Sequence, residues 1–309
     1  ARTAWELYYP PFQAAVEAGA GAVMCAYNQV NGTHSCESSD ILQRDLREAM
    51  GFQGFVVSDW WASHSTHSIL KGMDVEMPEA KHFADVRLQA VPHEAVDEAA
   101  TRVLASVFQL GLDEMPGCQP PCEAELSSDV RTEEHSELAR TAATAAVTLL
   151  HNDGGALPLD TTRVRRLAVL GWAANSTDVN ETWAPSAYAG GGSSHVWAPT
   201  VRTPLAAIRE RAAAAGVQVL YGVGANLSEA EELARDADAV VVIAASLTTE
   251  GKDRADAYLA RSADRLIARV APVRPTIVLM ETAGAVMTPW RGQVAAVANL
   301  FLGGEESGA

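Results

Sequence analysis

The segment Gly54-Phe55-Val56-Val57-Ser58-Asp59-Trp60-Trp61 sets a β-prone apolar run directly against a carboxylate and two indoles. Phe55-Val56-Val57 reads as a short buried strand. A carboxylate at its end is costly unless it has partners or a task. Two readings of Asp59 are open from these residues alone. In one, it stands at a strand tip, where α/β enzymes present their chemistry, beside aromatic faces of the kind on which sugar rings stack. In the other, Ser58 or Asp59 is the N-cap of a helix that follows.

Working outward, residues 1–112 alternate helix and strand signals. An amphipathic helix spans 5–18, a strand 21–27, a helix 39–50 and the strand 55–57. A helix around 65–71, a short strand over 74–77 and a long helix 93–110 stopped by Gly111 follow. Such repetition predicts a parallel sheet or barrel. Residues 113–130, with Met115-Pro116-Gly117-Cys118-Gln119-Pro120-Pro121-Cys122, lose the apolar periodicity and read as an interdomain linker. An Ala-rich helix over 132–150 then opens a second α/β region, with strands at 166–170, 217–220, 239–243 and 276–280 and helices 204–215, 228–236 and 262–270. This pattern predicts an α/β sandwich. The Gly-, Ser- and aromatic-rich stretch 175–199 is long for a compact domain, which marks it as functional.

The 309 residues carry 23 basic and 39 acidic side chains, a net charge of −16, and 48% are hydrophobic. That balance repels phosphate backbones and anionic lipid, so neither nucleic acid nor a membrane surface is expected as a partner, and a neutral substrate is. The longest apolar stretch, 139–150, is short and interrupted by Thr141, Thr144 and Thr148, so no membrane span is expected. The sequence lacks an initiator Met and ends within the motif-like Gly303-Gly304-Glu305-Glu306-Ser307-Gly308-Ala309; it is expected to be a piece of something longer. Four cysteines fall as two close pairs, Cys25 with Cys36 and Cys118 with Cys122, without metal-binding spacing, and are expected to form disulfides. With sequons at Asn31, Asn175, Asn180 and Asn226, they favour a secreted or extracytoplasmic location.

Generic motifs add little. Gly222 and Gly224 lack the third glycine of a dinucleotide loop, and Gly251-Lys252 is followed by Asp253 rather than Ser or Thr. His64 and His67 share a helical spacing but have no further ligands at suggestive distances, so no metal site is expected.

Specificity comes from ordered longer motifs: Val23-Met24-Cys25-Ala26-Tyr27-Asn28-Gln29-Val30-Asn31-Gly32, then Leu46-Arg47, then Gly51-Phe52-Gln53-Gly54-Phe55-Val56-Val57-Ser58-Asp59-Trp60, then Gly72-Met73-Asp74-Val75-Glu76-Met77-Pro78. They continue through 147–159, Gly190-Gly191-Gly192-Ser193-Ser194, Thr249-Glu250-Gly251-Lys252-Asp253-Arg254 and 301–309. In this order they resemble the glycoside hydrolases of family 3, β-glucosidase type. The resemblance implies the C-terminal portion of a (β/α)8 TIM-like barrel over 1–112, a linker 113–130 and an α/β sandwich domain over 131–309 that stops short of its C-terminus.

It further implies a retaining exo-β-glycosidase that removes terminal β-D-glucosyl residues without metal or organic cofactor, with Asp59 as nucleophile and Glu250 as acid/base. Retention requires one ionised carboxylate to attack the anomeric carbon and one protonated carboxyl to protonate the departing oxygen. Glu250 is therefore expected to have a raised pKa. By the same resemblance Met24, Tyr27 and Trp60 belong to the sugar subsite, with Tyr27 a candidate to hold the Asp59 carboxylate. Ser193 or Ser194 reaches over the pocket, and a Cys25–Cys36 disulfide rigidifies the loop after Tyr27. Asp253 and Arg254 are expected to form an ion pair or cap.

The sequence departs from the family pattern at Trp61, where a small residue is usual, and at Lys252, whose charge would lower rather than raise the Glu250 pKa. The earlier barrel strands that clamp the sugar hydroxyls are absent from the sequence. A β-xylosidase of the same family, or a truncated sugar-binding module without catalysis, are the alternatives. The Glu76-Met77-Pro78 ending favours a glucoside over a xyloside.

Overall fold

A computed structural model of the chain describes residues 2–118, 121–177 and 183–309. Contacts divide it into two compact units, Ala1–Ser128 and Asp129–Ala309.

In the first unit, helix α1 (Pro10–Glu17) leads to strand β1 (Ala22–Cys25), which pairs in parallel with β2 (Phe55–Ser58). The expected helix over 5–18 is broken into Ala4–Tyr8 and α1, since Pro10 supplies no N–H to continue the first turn. Between β1 and β2 lie a two-residue ribbon, Gln29–Val30 against Thr33–His34, and a π-wound helix, Asp40–Ala49. That helix buries Leu42 and Leu46 against Phe52, Val56, Met73 and the Cys25–Cys36 pair. Gly54 lets the strands meet: a β-carbon there would fall 2.2 Å from the Gly21 carbonyl oxygen. Helix α2 (His93–Gln109) closes the unit, with Ser106 Oγ donating to Gly21 O at 2.9 Å. The strand expected over 74–77 does not form. Only Val75 bridges to Val57, and the Asp74 side chain is engaged elsewhere.

The second unit contains α3 (Glu133–Ala146), β3 (Thr148–Asn152), β4 (Arg166–Leu170), α4 (Pro204–Ala214), β5 (Gln218–Gly222) and α5 (Leu227–Arg235). It continues with β6 (Ala239–Ala245), α6 (Ala263–Val270), β7 (Thr276–Glu281) and β8 (Ala296–Asn299). The sheet order is β3-β8-β7-β6-β4-β5, all parallel except β3, which runs antiparallel on β8. The central strand β6, Ala-Val-Val-Val-Ile-Ala-Ala, has no polar alternation because both its faces are buried. Val240, Val242 and Ala244 pack with α5 and α6, whereas Val241, Ile243 and Ala245 pack with Leu205 and Ala212 of α4, giving a three-layer sandwich.

The sequence reading misplaces one helix end in this unit and misses a strand. The Ala-rich helix ends at Ala146 rather than 150, and after Val147 the β-branched Thr148 begins an edge strand instead. Strand β8 was not anticipated, because Ala-Val-Ala-Asn is too short and too Ala-rich to announce itself.

Candidate active site

In the first unit the ladder between β1 and β2 ends with Cys25 opposite Ser58, and Asp59 extends it by one bond, its N–H donating to Cys25 O at 3.1 Å. Asp59 therefore leaves the sheet at the C-terminal tip of a parallel strand. Its Oδ1 accepts the Trp60 N–H at 2.8 Å, and Ala62 N–H donates to Asp59 O at 3.0 Å, closing a turn. The N-cap alternative does not hold, because the next helical turn starts at Thr66. Met24 is the register partner of Val57, so strand alternation carries Met24 and Val57 on the face that leads to Asp59. Met24, Tyr27 and Trp60 are 48%, 54% and 39% exposed, which leaves their side chains accessible at this end of the unit.

Beneath the strand sits a buried ionic knot that the sequence reading did not assign. Both Asp74 carboxylate oxygens are used: Oδ2 accepts from Arg47 Nη2 at 2.6 Å and from the Val56 N–H at 2.7 Å, and Oδ1 accepts from Arg102 Nε at 2.8 Å. Arg47 also donates to Gly54 O at 2.8 Å and Gly72 O at 3.1 Å. Burial pushes the Arg47 guanidinium below its ordinary pKa while the Asp74 charge opposes that shift. The knot ties β2 to the following segment and so sets where Asp59 emerges. Its signal in the sequence was a carboxylate between apolar Met73 and Val75, with Arg47 and Arg102 far away along the chain.

The loop after β1 is held by the Cys25–Cys36 disulfide, with Cα atoms 5.2 Å apart, and a second disulfide joins Cys118 and Cys122. That loop also meets the segment after Asp59: Ser65 Oγ donates to Glu37 Oε1 at 2.6 Å, and the His34 and His64 rings stack at 3.6 Å between centroids. His64 is thus a stacking partner. Among the described residues no group of three or more His, Cys, Asp or Glu is arranged to hold a metal ion. None of the described helices is long and apolar enough to cross a membrane.

In the second unit the parallel strands lie in the spatial order β5-β4-β6-β7-β8, so chain order reverses between β4 and β6. Loops leaving the C-terminal ends of the two strands at such a switch point bound the usual binding crevice of an open α/β sheet. The loop after β4 carries Gly190-Gly191-Gly192-Ser193-Ser194, and the loop after β6 carries Glu250. The two loops pair directly. Gly191 N–H donates to Thr248 O and Glu250 N–H donates to Gly191 O, each at 3.0 Å. Gly192, at φ +113°, lies flat against Glu250, where an added β-carbon would sit 2.4 Å from Glu250 Cβ.

Ser193 then takes the carboxylate: its N–H donates to Glu250 Oε2 at 2.8 Å and its hydroxyl donates to the same oxygen. Ser194, next to it, is exposed. The Ser193 hydroxyl first, and its amide second, hold the Glu250 carboxyl below the ordinary range. This corrects the expectation of a raised pKa, and the cause is Ser193 rather than Lys252. Of the ion pair or cap expected of Asp253 and Arg254, the ion pair does not form among the described residues; Arg254 Nη2 instead donates to Ala285 O at 2.9 Å, tying the loop to the segment after β7. Beside Glu250 opens a cavity of about 750 Å³ bounded by Trp183, Thr249, Lys252, Arg254, Tyr258 and Arg265. Asp178 and Glu181 of the preceding insert lie outside the described residues.

Comparison with known proteins gives the same partition. The family model described as Glycosyl hydrolase family 3 N terminal domain matches residues 4–105, and that described as Glycosyl hydrolase family 3 C-terminal domain matches 147–309. Probable beta-glucosidase L of Emericella nidulans is 33% identical over 99% of this chain and 46% of its own length. Beta-glucosidase cel3A of Pyricularia oryzae is likewise 33% identical over 99% of this chain and 46% of itself. Among solved structures, beta-D-glucoside glucohydrolase from Trichoderma reesei superposes with a TM-score of 0.86 at 32% identity, over 99% of this chain and 47% of that one. DesR, a beta-glucosidase from Streptomyces venezuelae in complex with D-glucose, superposes with a TM-score of 0.86 at 25% identity, over 100% of this chain and 54% of that one. The chain spans about half the length of the curated relatives it matches. Its fold is α/β, a portion of a TIM-like barrel followed by an α/β sandwich, and with both domain models matched in order the chain belongs to glycosyl hydrolase family 3.

Proposed function

We propose that the full-length protein containing this chain is a retaining exo-β-glucosidase. On this reading residues 1–112 form the barrel portion bearing the nucleophile Asp59, 113–130 the connection, and 131–309 the sandwich domain bearing the acid/base Glu250. The observation that carries it is Asp59 at the C-terminal tip of a parallel strand, next to accessible indoles, in a chain of this family. In the first step an Asp59 oxygen attacks the anomeric carbon as the glycosidic C–O bond breaks, and Glu250 gives its proton to the departing oxygen. In the second, water attacks the same carbon, Glu250 takes the water's proton, and the Asp59–glycosyl bond breaks. Two displacements leave the configuration unchanged.

The chemistry asks the two carboxyl groups to come within about 5–5.5 Å of each other across the substrate. Met24, Tyr27 and Trp60 are proposed to line the terminal sugar, and Ser193 and Ser194 are proposed as further substrate-binding residues. Ser193 has a specific duty in this scheme. It supplies Glu250 Oε2 with two hydrogen bonds that favour the charged state, the one that accepts a proton from water, and leaves Oε1 to carry the proton of the acid state. A secreted or extracytoplasmic location is proposed from the two disulfides and from the exposed sequon at Asn31.

Proton NMR of an aryl β-glucoside digest by the full-length protein, read in the first minutes before mutarotation, tests the reading. β-Glucose should appear first. First appearance of α-glucose would mean inversion and would remove Asp59 as a nucleophile.

A further inference from the structure

Ser58 lies on the buried face of β2 together with Val56, and no part of it reaches solvent. A hydroxyl there is costly unless it is bonded. The segment 74–77 runs parallel beside this strand: Val75 N–H donates to Val56 O at 3.1 Å, and Ser58 N–H donates to Val75 O at 2.9 Å. A continued parallel ladder would next bring Met77 N–H to Ser58 O. The bond goes to the side chain instead, with Ser58 Oγ accepting from Met77 N–H at 2.9 Å and donating to Met77 O at 3.4 Å. Met77 O also accepts the Trp61 N–H at 3.0 Å. Ser58 and Trp61, which bracket Asp59, thus hold both backbone polar groups of one residue.

Trp61 belongs to the turn Asp59–Ala62, closed by Ala62 N–H donating to Asp59 O at 3.0 Å, and within that turn Trp60 N–H donates to Asp59 Oδ1 at 2.8 Å. One path of bonds therefore runs from Ser58 Oγ through Met77 and the turn to the carboxylate of Asp59. On its other side Asp59 is held by its own N–H on Cys25 O at 3.1 Å. We propose that Ser58 is a positioning residue for the nucleophile: by taking Met77 on its hydroxyl it ends the ladder just before Asp59 and fixes the turn that aims the carboxylate. The proposal rests on the reading of Asp59 given above. The turn occupies Oδ1, which leaves Oδ2 for the anomeric carbon. A carboxylate so aimed enters both displacements, first as nucleophile and then as leaving group, so a loss of aim slows both. Ser58 itself is buried away from any ligand, and its effect is on rate rather than on affinity.

The test compares full-length Ser58→Ala, Ser58→Thr and Ser58→Val with the parent on 2,4-dinitrophenyl β-glucoside. Active sites are counted by the dinitrophenolate released from the corresponding 2-deoxy-2-fluoro-glucoside. Per active site, kcat of Ser58→Ala and Ser58→Val should fall about tenfold to a hundredfold with KM little changed, the cost of a small misplacement of a reacting group. Thr and Val differ in a hydroxyl for a methyl at nearly the same shape, so their ratio reads the hydroxyl itself. Ser58→Thr should exceed Ser58→Val about tenfold on the same grounds, a comparison that stands even where Ser58→Ala does not fold. Equal rates per active site in the Thr and Val variants, or a loss confined to KM or to the fraction of active sites, would overturn the positioning role and leave the nucleophile assignment standing. A parent protein labelled by the fluoro-glucoside on a carboxylate other than Asp59, or not labelled at all, would overturn that assignment and the positioning role with it.

Discussion

At Glu250 two demands meet. In the proposed acid/base role it must give up a proton and take one back, yet the Ser193 bonds favour the charged form. The shift runs downward, so the contact is favourable above the ordinary glutamate range and is lost as pH falls through the lowered pKa. On the proposed reading this places the alkaline limb of kcat of the full-length protein lower than an unassisted glutamate would. Ser193→Ala keeps the amide but removes the hydroxyl, and should move that limb to higher pH in a pH–rate profile. An unmoved limb would mean that another group sets it. Glu250→Gln should depress hydrolysis of alkyl glucosides by orders of magnitude, while dinitrophenyl glucosides, whose leaving groups need no proton, lose far less in their first step. Equal losses on both would leave Glu250 a structural residue. Asp59 stands out in the sequence by its place after an apolar run, and Glu250 only through the family motif. Nothing local foretold the Ser193 contact or the lowered pKa, since 57 residues of chain separate the partners.

The strands of the sandwich show the same division at a larger scale. β6 announced itself through seven consecutive small or β-branched apolar residues, whereas the edge strand β3 hid behind a neighbouring helix and the interior strand β8 behind alanine. The end of β7 was legible only as residue type. Glu281 closes that strand in register with Ala245, its side chain fully buried and neither carboxylate oxygen partnered by a hydrogen bond. Burial pushes its pKa up to about 8. The folded state therefore holds a proton that the unfolded chain releases between pH 4.5 and 8. The associated stability is complete below the unfolded value and is lost as pH rises through the folded one, by on the order of a few kcal/mol at pH 9. Thermal unfolding of the full-length protein from pH 5 to 9 should show this decline, and Glu281→Gln should flatten it. A variant whose profile runs parallel to the parent would place the decline elsewhere. Strand identity is written in short-range pattern. The protonation state of a strand's last residue depends on what covers it.

For the whole molecule, the order of motifs along the chain carried more information than any one of them. Repetition of βα units predicted parallel sheets, and the structure supplies parallel pairing in both units. The Asp74 knot escaped because its partners, Arg47 and Arg102, are 27 and 28 residues away and only the fold brings them together. On the proposed reading one carboxylate of this chain, Asp59, forms a covalent bond to the glycosyl unit. A 2-deoxy-2-fluoro-β-glucoside with a good leaving group slows the second displacement and traps that bond. Full-length protein treated with it, digested and mapped by tandem mass spectrometry, should carry the fluoroglucosyl label on Asp59. A label on any other carboxylate, or full inactivation without a covalent adduct, would remove Asp59 as the nucleophile.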